Sequence, residues 1–582
     1  MLLFSALEIF LTWAFAGFAL IGIGSAILAL LVEDFSLFDA FWMGLSGSVA
    51  VLEIWNLLLP ITSSTTMVLF CAGILGIFLN RFILFNRVKM VLQSPLWLIL
   101  FAVAIALFIA LRSAGPCDYY DTGLYGAPAV RWIQSYPAVP GLTNLHGRLG
   151  FNSSVFLFIA VLQQGLWRDL AHHLFAGLII AALCLSILPA CVRVFAKSYV
   201  SPADWFHSIL AIPAIFWATR SKIVGTLTDE PAAIACLVAA GLLFENFSQS
   251  NDASQPSRGS SRLLVATSLF SLAVSFKLST VVFALLAWCL AYRRIWLLSR
   301  STQKRTTYLV AALTFSALIL LPWLVRSIIL SGYPLFPATI LGFPVDWKTP
   351  FCVAKWYATG VQSWGRIPEA SAADTHGFAW LSVWLGHAFR NRVAFQVPLT
   401  ISLAGLAAFF ALRIRSKPSP PCSWLWPLLP SLAAMVFWFW ASPDMRFGQF
   451  AIWTTAGTLG TCGIVAATSG RPPAYARTAS ALLLLLLVWC LVGYGWKEPY
   501  RLLLAVEGLP PLPTADLVVR HTLSGLSVYV PAHGYQCWNA PLPCTPYFDE
   551  TLRLRNGASM RSGFKSQLRA ENLQKFWPTT VR

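Results

Sequence analysis

Charged side chains are scarce in this chain. Only 11% of its 582 residues are Asp, Glu, Lys or Arg, whereas 57% are hydrophobic and the mean hydropathy is +0.69. Soluble domains carry about 25% charged residues, so the shortage excludes an ordinary soluble protein. Apolar runs recur along the whole sequence, and many reach the roughly 20 residues that a helix needs to cross a bilayer. The composition therefore predicts an all-α polytopic membrane protein.

Several chemical signatures are missing as well. The sequence contains no Walker loop, no His-Glu-x-x-His, no Gly-x-Ser-x-Gly and no dinucleotide fingerprint, and its 12 cysteines include no Cys-x-x-Cys. These absences argue against ATP-driven chemistry and against a serine-hydrolase site. The net charge of +18 would suit nucleic acid, but many basic residues lie in short loops between apolar runs. We therefore expect no nucleic-acid partner.

The apolar pattern predicts about 14 transmembrane helices. The predicted spans are 8–32, 40–60, 63–80, 96–112, 173–193, 204–220, 231–247, 263–276, 279–292, 308–328, 393–412, 423–441, 447–468 and 478–495. Two shorter segments, 153–167 and 376–389, are predicted to be amphipathic helices that lie on the membrane. Residues 1–495 thus form a transmembrane domain with exoplasmic loops at 113–172 and 329–392, and residues 496–582 form a small exoplasmic C-terminal region.

Basic residues in the loops predict the orientation. With these spans, six clusters fall on one side, which the positive-inside rule assigns to the cytoplasm. The loop after the first span is acidic, so the side of the N-terminus stays open. The remaining polar motifs then face the periplasm of a bacterial inner membrane. The clusters are Arg81, Arg87 and Lys89; Arg193 and Lys197; Arg258 and Arg262; Arg293, Arg294, Arg300, Lys304 and Arg305; Arg413, Arg415 and Lys417; and Arg471 and Arg477.

The most informative polar segment is 115–125, between two apolar blocks. It contains Asp118 and Asp121, which would share one face of a helix. Carboxylates beside membrane spans are costly and are usually functional. One interpretation is a general base, or a carboxylate that positions an acceptor hydroxyl, and Asp121 is slightly favoured for it. The other is an Asx-turn or helix N-cap. The tyrosines around the pair are expected at the membrane interface.

Further polar candidates emerge on the same predicted side, each with a structural alternative. Asp229 and Glu230 precede Pro231 at the start of a span, and they either cap this helix or face the same cavity as Asp118. Lys277 divides two short apolar segments, and it either snorkels or binds a phosphate. Arg326 is another phosphate candidate.

The remaining candidates lie in loops. Asp444 and Arg446 either form an ion pair that stabilises a tight turn or belong to the site. His146 and Arg148 are polar contacts of a substrate or surface groups of a folded loop. Cys537 and Cys544 are predicted to form a disulfide, which an oxidising compartment would allow. The surrounding segment supplies too few ligands for a metal site.

Together these residues resemble the GT-C superfamily of polytopic membrane glycosyltransferases, which use polyprenyl-phosphate-linked sugars. Protein O-mannosyltransferases and the aminoarabinose transferase of lipid A belong to it. Asp118-Tyr-Tyr-Asp121 followed by 153–167 looks like the acidic motif of the first large exoplasmic loop. Asp229-Glu230 looks like the second acidic position, and Ser331-Gly-Tyr-Pro-Leu-Phe-Pro337 looks like the Gly-x-Pro-x-x-Pro exit loop.

More narrowly, three segments look like a group of bacterial polytopic proteins described only as GT-C-like. They are Asp121-Thr-Gly-Leu-Tyr, the stretch from Gly141 to Ser153, and Cys537-Trp-Asn-Ala-Pro-Leu-Pro-Cys-Thr-Pro-Tyr547.

The resemblance implies a GT-C-like helical bundle that transfers a sugar from a polyprenyl-phosphate donor to an exoplasmic glycan, lipid or protein acceptor. Asp121 or Asp118 would be catalytic. No cofactor is implied except an optional divalent cation, for which two carboxylates are a weak indication. The alternatives are a flippase or transporter of lipid-linked glycans, or a glycan polymerase. The residues implied to bind substrate are Asp229, Glu230, Lys277, Arg326, Asp444, Arg446, His146 and Arg148.

Overall fold

A computed structural model describes most of the chain, and its fold is all-α. The described residues are 2–32, 34–196, 200–220, 223–248, 256–298, 301–368, 374–413, 421–495, 508–557 and 559–568. Lys197, Arg300, Arg415 and Lys417, which belong to the predicted basic clusters, lie outside them.

The helices of the first half surround a long segment between α5 and α9. They are α1 (Leu2–Ala29), α2 (Leu37–Leu58), α3 (Ser63–Leu79), α4 (Arg81–Leu92), α5 (Leu96–Ser113), α6 (Ala127–Ser135), α7 (Leu142–Leu145), α8 (Val155–Leu162), α9 (Phe175–Ala196), α10 (Pro202–Ile209), α11 (Ala211–Thr219), α12 (Asp229–Ser248) and α13 (Pro256–Phe276).

The second half continues the bundle and ends in a small β region. Its elements are α14 (Val281–Leu298), α15 (Thr302–Ser331), α16 (Phe351–Arg366), α17 (Leu381–Arg390), α18 (Val397–Arg413), α19 (Leu428–Ala441), α20 (Met445–Thr468), α21 (Pro473–Gly495), β1 (Leu517–His521), β2 (Ser527–Pro531), β3 (Arg553–Leu554) and β4 (Phe564–Lys565).

In the part of the chain that the structure describes, twelve helices are long and apolar enough to cross a membrane, and the number rises to 13 if α3 and α4, bent by 84°, count as one span. The chain is thus a polytopic membrane protein, although fewer of its described helices meet this test than the 14 spans predicted. The predicted span 204–220 is broken at Leu210 into α10 and α11. Pro213 explains the break, because it has no N–H to donate to the preceding turn and fits only the first turn of a new helix.

The broken pair still runs from one end of the bundle to the other. At its beginning, Asp204 forms an ion pair with Arg193 of α9, with 2.6 Å between the charged atoms. At its end, the Thr219 carbonyl accepts a hydrogen bond of 2.7 Å from Arg112 of α5. Together, α10 and α11 therefore cross the bundle once, as the predicted span 204–220 would.

The two short segments differ from each other. The prediction that 153–167 is a surface helix is wrong, because α8 is buried along all but its last residue. Its apolar run offers no polar face to water, and the bundle encloses it. In the segment 376–389, α17 buries Trp384 and Ala388, four residues apart, and exposes most of its remaining surface. This one-sided burial is what an amphipathic helix requires.

The segment between α5 and α9 marks one end of the bundle, which we term the loop end. The second helix reaches this end, since Asn56 accepts a backbone hydrogen bond of 2.7 Å from Ala138. The loop that follows α1 therefore lies at the opposite end, where Asp34 pairs with Arg87. The first helix accordingly begins at the loop end. The acidic loop after α1 thus neutralises part of a basic cluster.

Glycines bring α1 close to both of its neighbours. A Cβ atom at Gly24 would collide with the Ala40 carbonyl of α2, and one at Gly44 would collide with the Leu20 carbonyl of α1. Gly73 of α3 similarly approaches the Ala19 backbone. Small residues permit this backbone contact, which is a main source of helix association in lipid.

The C-terminal region packs on the loop end. Its two antiparallel sheets pair β1 with β2 and β3 with β4. Cys537 and Cys544 form the predicted disulfide, with an S–S length of 2.07 Å. The Trp538 amide donates to the Gly123 carbonyl at 2.9 Å, and Arg131 donates to the Asn539 carbonyl at 2.7 Å. The region therefore rests directly on the turn that carries Asp121.

Replacing Gly24 with leucine should lower the thermal stability of the detergent-solubilised protein. The side chain would force α1 and α2 apart, and overpacking typically costs about 1–3 kcal/mol. The matched control is Gly17→Leu on the same helix, where a Cβ atom would meet nothing within 4 Å. Equal shifts in melting temperature for the two variants would contradict this account of the packing.

Candidate functional site

Charged side chains from separate elements meet at the loop end. Asp121 belongs to the segment after α5, Asp229 begins α12, Lys277 follows α13, and Arg446 lies in the first turn of α20. Asp444 and Arg148 complete the group. We call these six residues the charged cluster. They converge because α12 and α20 begin at the loop end, whereas α13 ends there.

Arg446 lies at the centre of the charged cluster. One terminal nitrogen lies 3.0 Å from Asp444 Oδ2, and the other lies 3.8 Å from Asp121 Oδ2 and 3.9 Å from Asp229 Oδ2. Asp444 also caps α20 by accepting a hydrogen bond of 2.9 Å from the Arg446 amide. The ion pair that the sequence offered as an alternative is therefore present, and it is part of the larger cluster.

Lys277 and Asp229 form the most buried ion pair of the charged cluster. The ammonium also lies 3.9 Å from the centre of the Phe447 ring, which places it in a cation–π contact. The Asp229 side chain is only 3% exposed, whereas those of Asp121, Lys277 and Arg446 are 22–27% exposed. The site therefore has a buried acid at its base and accessible charges at its mouth.

The Tyr119 side chain lies between Asp121 and Asp229. Its hydroxyl lies 3.5 Å from both Asp121 Oδ2 and Asp229 Oδ2, and it accepts a hydrogen bond of 3.2 Å from Arg446. Burial raises the pKa of Tyr119 well above its usual value, and the charge of Asp121 raises it further. The group is consequently a neutral hydroxyl. This tyrosine was expected at the membrane interface, and its one signal in the sequence was its position two residues before Asp121.

Asp118 and Asp121 do not share a helix face. The helical turn begins only at Tyr120 and continues as a π-helical turn over Thr122–Gly126. Asp118 precedes this turn and is exposed. Single π-helical turns occur frequently at functional sites, and here the turn directs the residues on either side of Asp121 toward the C-terminal region.

His146 and Arg148 point in different directions. Arg148 lies 3.6 Å from Asp121 Oδ1. The imidazole of His146 instead stacks on Tyr547 of the C-terminal region, with 5.4 Å between the ring centres. Burial lowers the pKa of His146 to about 3, and the neighbouring positive charge of Arg148 acts in the same direction. His146 is therefore a neutral, buried ring rather than a charged contact.

Arg326 and Glu230 have other partners. Arg326 donates to Asn56 Oδ1 at 3.1 Å and also bonds to Asn152. Glu53 of α2, which is fully buried, is attracted to the Arg326 charge. Glu230 pairs with Arg220 at 3.3 Å. Glu53 was not among the predicted site residues, although a single acid inside a predicted span is a signal of function or pairing.

Within the described ranges, no group of three or more His, Cys, Asp or Glu side chains is arranged to hold a metal ion. The carboxylates of the charged cluster instead face its cations.

A family model described as a domain of unknown function (DUF8201) matches residues 6–453 of the chain. The chain belongs to the DUF8201 family. No curated protein and no solved structure matches it. The part that matches the DUF8201 model includes the whole charged cluster and ends inside α20. The C-terminal region, which rests on the Asp121 turn, lies beyond this match.

Asp229 and Lys277 should be strongly coupled in stability. Removing one member of a buried pair leaves an uncompensated charge. The double variant Asp229→Asn/Lys277→Met should therefore lose less stability than the sum of the losses in the two single variants. A double-mutant cycle should give a coupling energy of about 0.5–3 kcal/mol. The more exposed pair Asp34–Arg87 is the control, with about 0–1 kcal/mol expected. Additive effects at Asp229 and Lys277 would contradict the pairing.

Proposed function

We propose that this protein is an integral membrane glycosyltransferase that moves a sugar from a polyprenyl-phosphate donor to an exoplasmic glycan, lipid or protein acceptor. One observation carries the proposal. Two acids and two cations from four separate segments, Asp121, Asp229, Lys277 and Arg446, converge in one partly exposed site at the end of the membrane bundle.

Two basic residues of the charged cluster suit an anionic donor. Arg446 and Lys277 are the cations that bind the donor phosphate, since a guanidinium contacts two phosphate oxygens and an ammonium acts as a point charge. The added negative charge increases the proton affinity of neighbouring carboxylates, which favours proton uptake by Asp121.

The proposed reaction is a single displacement. The acceptor hydroxyl attacks the anomeric carbon of the sugar, and Asp121 takes its proton. The bond between this carbon and the phosphate oxygen breaks, and the polyprenyl phosphate leaves with one additional negative charge. Arg446 and Lys277 stabilise that charge as it develops. The product therefore has the opposite anomeric configuration, without a covalent enzyme intermediate.

The charge distribution supports a site that faces the periplasm of a bacterial inner membrane. Following the chain through the spans leaves the described basic residues of the six clusters at the end opposite the charged cluster, which the positive-inside rule assigns to the cytoplasm. The disulfide Cys537–Cys544 lies in the region that packs on the loop end, and disulfides persist in oxidising compartments. The polyprenyl tail would remain in the bilayer beside the site.

The charged side chains lie close to one end of the bundle, and this position favours an enzyme over a flippase or transporter. Transporters place their substrate and ion sites near the middle of the bilayer. Glu53 and Arg326 each lie five residues from the loop end of their helices, which corresponds to about 7.5 Å of helix. Like the charged cluster, both residues therefore lie toward one end of the bundle. A polymerase of lipid-linked glycans would be a variant of the same chemistry.

Asp121→Asn should reduce sugar transfer from a labelled polyprenyl-phosphate donor by about 10²- to 10⁴-fold, because a positioned base contributes that much. Asp118→Asn is the matched control and should retain most of the activity, since the exposed Asp118 precedes the turn that directs Asp121 into the cluster. Transfer would be measured with purified protein in lipid nanodiscs and a panel of labelled donors.

Full activity of Asp121→Asn, with an unchanged melting temperature, would exclude the proposed role of Asp121. A loss of the same size in Asp118→Asn would contradict the assignment of the proton transfer to Asp121 rather than Asp118.

A further inference from the structure

The contacts of the Asp121 carboxylate are long. Its oxygens lie 3.6 Å from Arg148, 3.8 Å from Arg446 and 3.5 Å from the Tyr119 hydroxyl. Charge-assisted hydrogen bonds are usually about 2.7–2.9 Å long, so none of these contacts fixes the side chain by itself. The place of this carboxylate in the charged cluster therefore depends on the backbone of the Asp121 turn, residues 120–126.

One side of the Asp121 turn packs against the loop that precedes α12. The Thr226 amide in this loop donates a hydrogen bond of 3.0 Å to the Thr122 hydroxyl. A Cβ atom at Gly126, one helical turn further along, would collide with the Thr226 side chain. Both contacts are made by residues that follow Asp121, so the bundle holds the turn from the far side of this acid.

The C-terminal region holds the Asp121 turn at two other points. The Gln536 side chain donates a hydrogen bond of 3.0 Å to the Tyr120 carbonyl, which belongs to the peptide group that joins Tyr120 to Asp121. The Trp538 amide donates one of 2.9 Å to the Gly123 carbonyl. These two donors lie on either side of Asp121 along the chain. Gln536 thereby restrains the peptide group next to the Cα atom of Asp121.

The indole of Trp538 also lies against Gly123. A Cβ atom at Gly123 would be 2.5 Å from this ring, so glycine is needed for the ring to approach the turn so closely. Trp538 is a residue other than glycine with a positive φ, 47°. Such a conformation persists where the surrounding structure enforces it, and it often marks a functional site. In this conformation, Trp538 presents both its amide and its ring to the same residue.

The disulfide Cys537–Cys544 connects this contact to the sheet of the C-terminal region. Tyr529 of β2 forms backbone hydrogen bonds of 3.0 Å on both sides of Cys544, since its amide donates to Pro543 and its carbonyl accepts from Thr545. Cys537 lies between Gln536 and Trp538 in the chain. The disulfide therefore ties both donors to an ordered strand.

We propose that Gln536 and Trp538 are positioning residues for Asp121, and that the disulfide Cys537–Cys544 holds them in place. They contact the backbone of the Asp121 turn, and through it they direct the carboxylate toward Arg446. Their effect on sugar transfer rests on the proposed function, whereas their effect on the order of the turn does not. The match to the DUF8201 model includes Asp121 and ends before both positioning residues.

Hydrogen exchange measured by mass spectrometry tests the order of the turn, with the full chain in lipid nanodiscs. Trp538→Ala and Gln536→Met each remove a contact, so amides of residues 120–126 should exchange at least about tenfold faster. Peptides from α12 and α20 should exchange as in the wild type. Pro541→Ala is the matched control, because Pro541 is an exposed residue of the same disulfide loop, and it should change nothing.

Sugar transfer by the same samples tests the link to Asp121. A displaced base lowers the rate of the chemical step, so kcat should fall about 10- to 100-fold in Trp538→Ala. The KM for the donor should stay within about twofold, because Arg446 and Lys277 remain in place. Trp538→Phe keeps an aromatic ring against Gly123 and should restore most of the lost kcat.

Asp121→Asn separates this inference from the transferase proposal, because it should abolish transfer while residues 120–126 keep their slow exchange. Wild-type exchange of these residues in both Trp538→Ala and Gln536→Met would overturn the positioning role even if transfer is observed. Faster exchange with an unchanged kcat would overturn the link to Asp121. Faster exchange in a protein that transfers no sugar would support the positioning of the turn and contradict the proposed function.

The double variant Cys537→Ser/Cys544→Ser should reproduce the faster exchange of Trp538→Ala if the disulfide holds this residue in place. Wild-type exchange in the double variant would exclude that role of the disulfide. Gln536→Met changes one partly exposed side chain and should keep the wild-type melting temperature, so the test does not depend on variants that fail to fold.

Discussion

Arg446 is the interaction centre on which the rest of the site depends. Asp229 is almost completely buried, and an uncompensated carboxylate at such depth would cost several kcal/mol. Arg446 and Lys277 supply the compensation, and Arg446 extends it to Asp121 and Asp444. Because these residues belong to different helices, satisfying one buried charge also aligns the ends of α12, α13 and α20. Stability and the arrangement of the site thus have the same physical cause.

A second polar network holds the segment that joins this centre to the bundle. Asn152 exchanges two hydrogen bonds with Trp323, at 2.7 and 2.8 Å, and also bonds to Arg326. The next residue, Ser153, donates to the Phe276 carbonyl at 2.7 Å, immediately before Lys277. Asn152 adopts the left-handed conformation with φ 53°, which asparagine tolerates better than most residues. Arg326 is therefore linked, through Asn152 and Ser153, to the backbone that precedes Lys277.

The sequence predicted the membrane class and twelve of the spans, because hydropathy depends on composition alone. It also identified Asp121, Asp229, Lys277 and Arg446, since charges beside spans are costly enough to be conspicuous. The burial of α8, the break before Pro213 and the central position of Tyr119 depend on which helices are neighbours. Local pattern carries no such information, and an aromatic residue at the end of a span has the same signature whether it faces lipid or a charged cluster.

The contacts between the C-terminal region and the Asp121 turn impose an order on biosynthesis. Gln536 donates to the Tyr120 carbonyl at 3.0 Å across a separation of 416 residues, and Trp538 binds Gly123 on the other side of Asp121. During translation, the spans can insert one after another while this turn still lacks its outer support. The Asp121 turn therefore gains these outer contacts only after the C-terminal region has been synthesised and has reached the same end of the bundle.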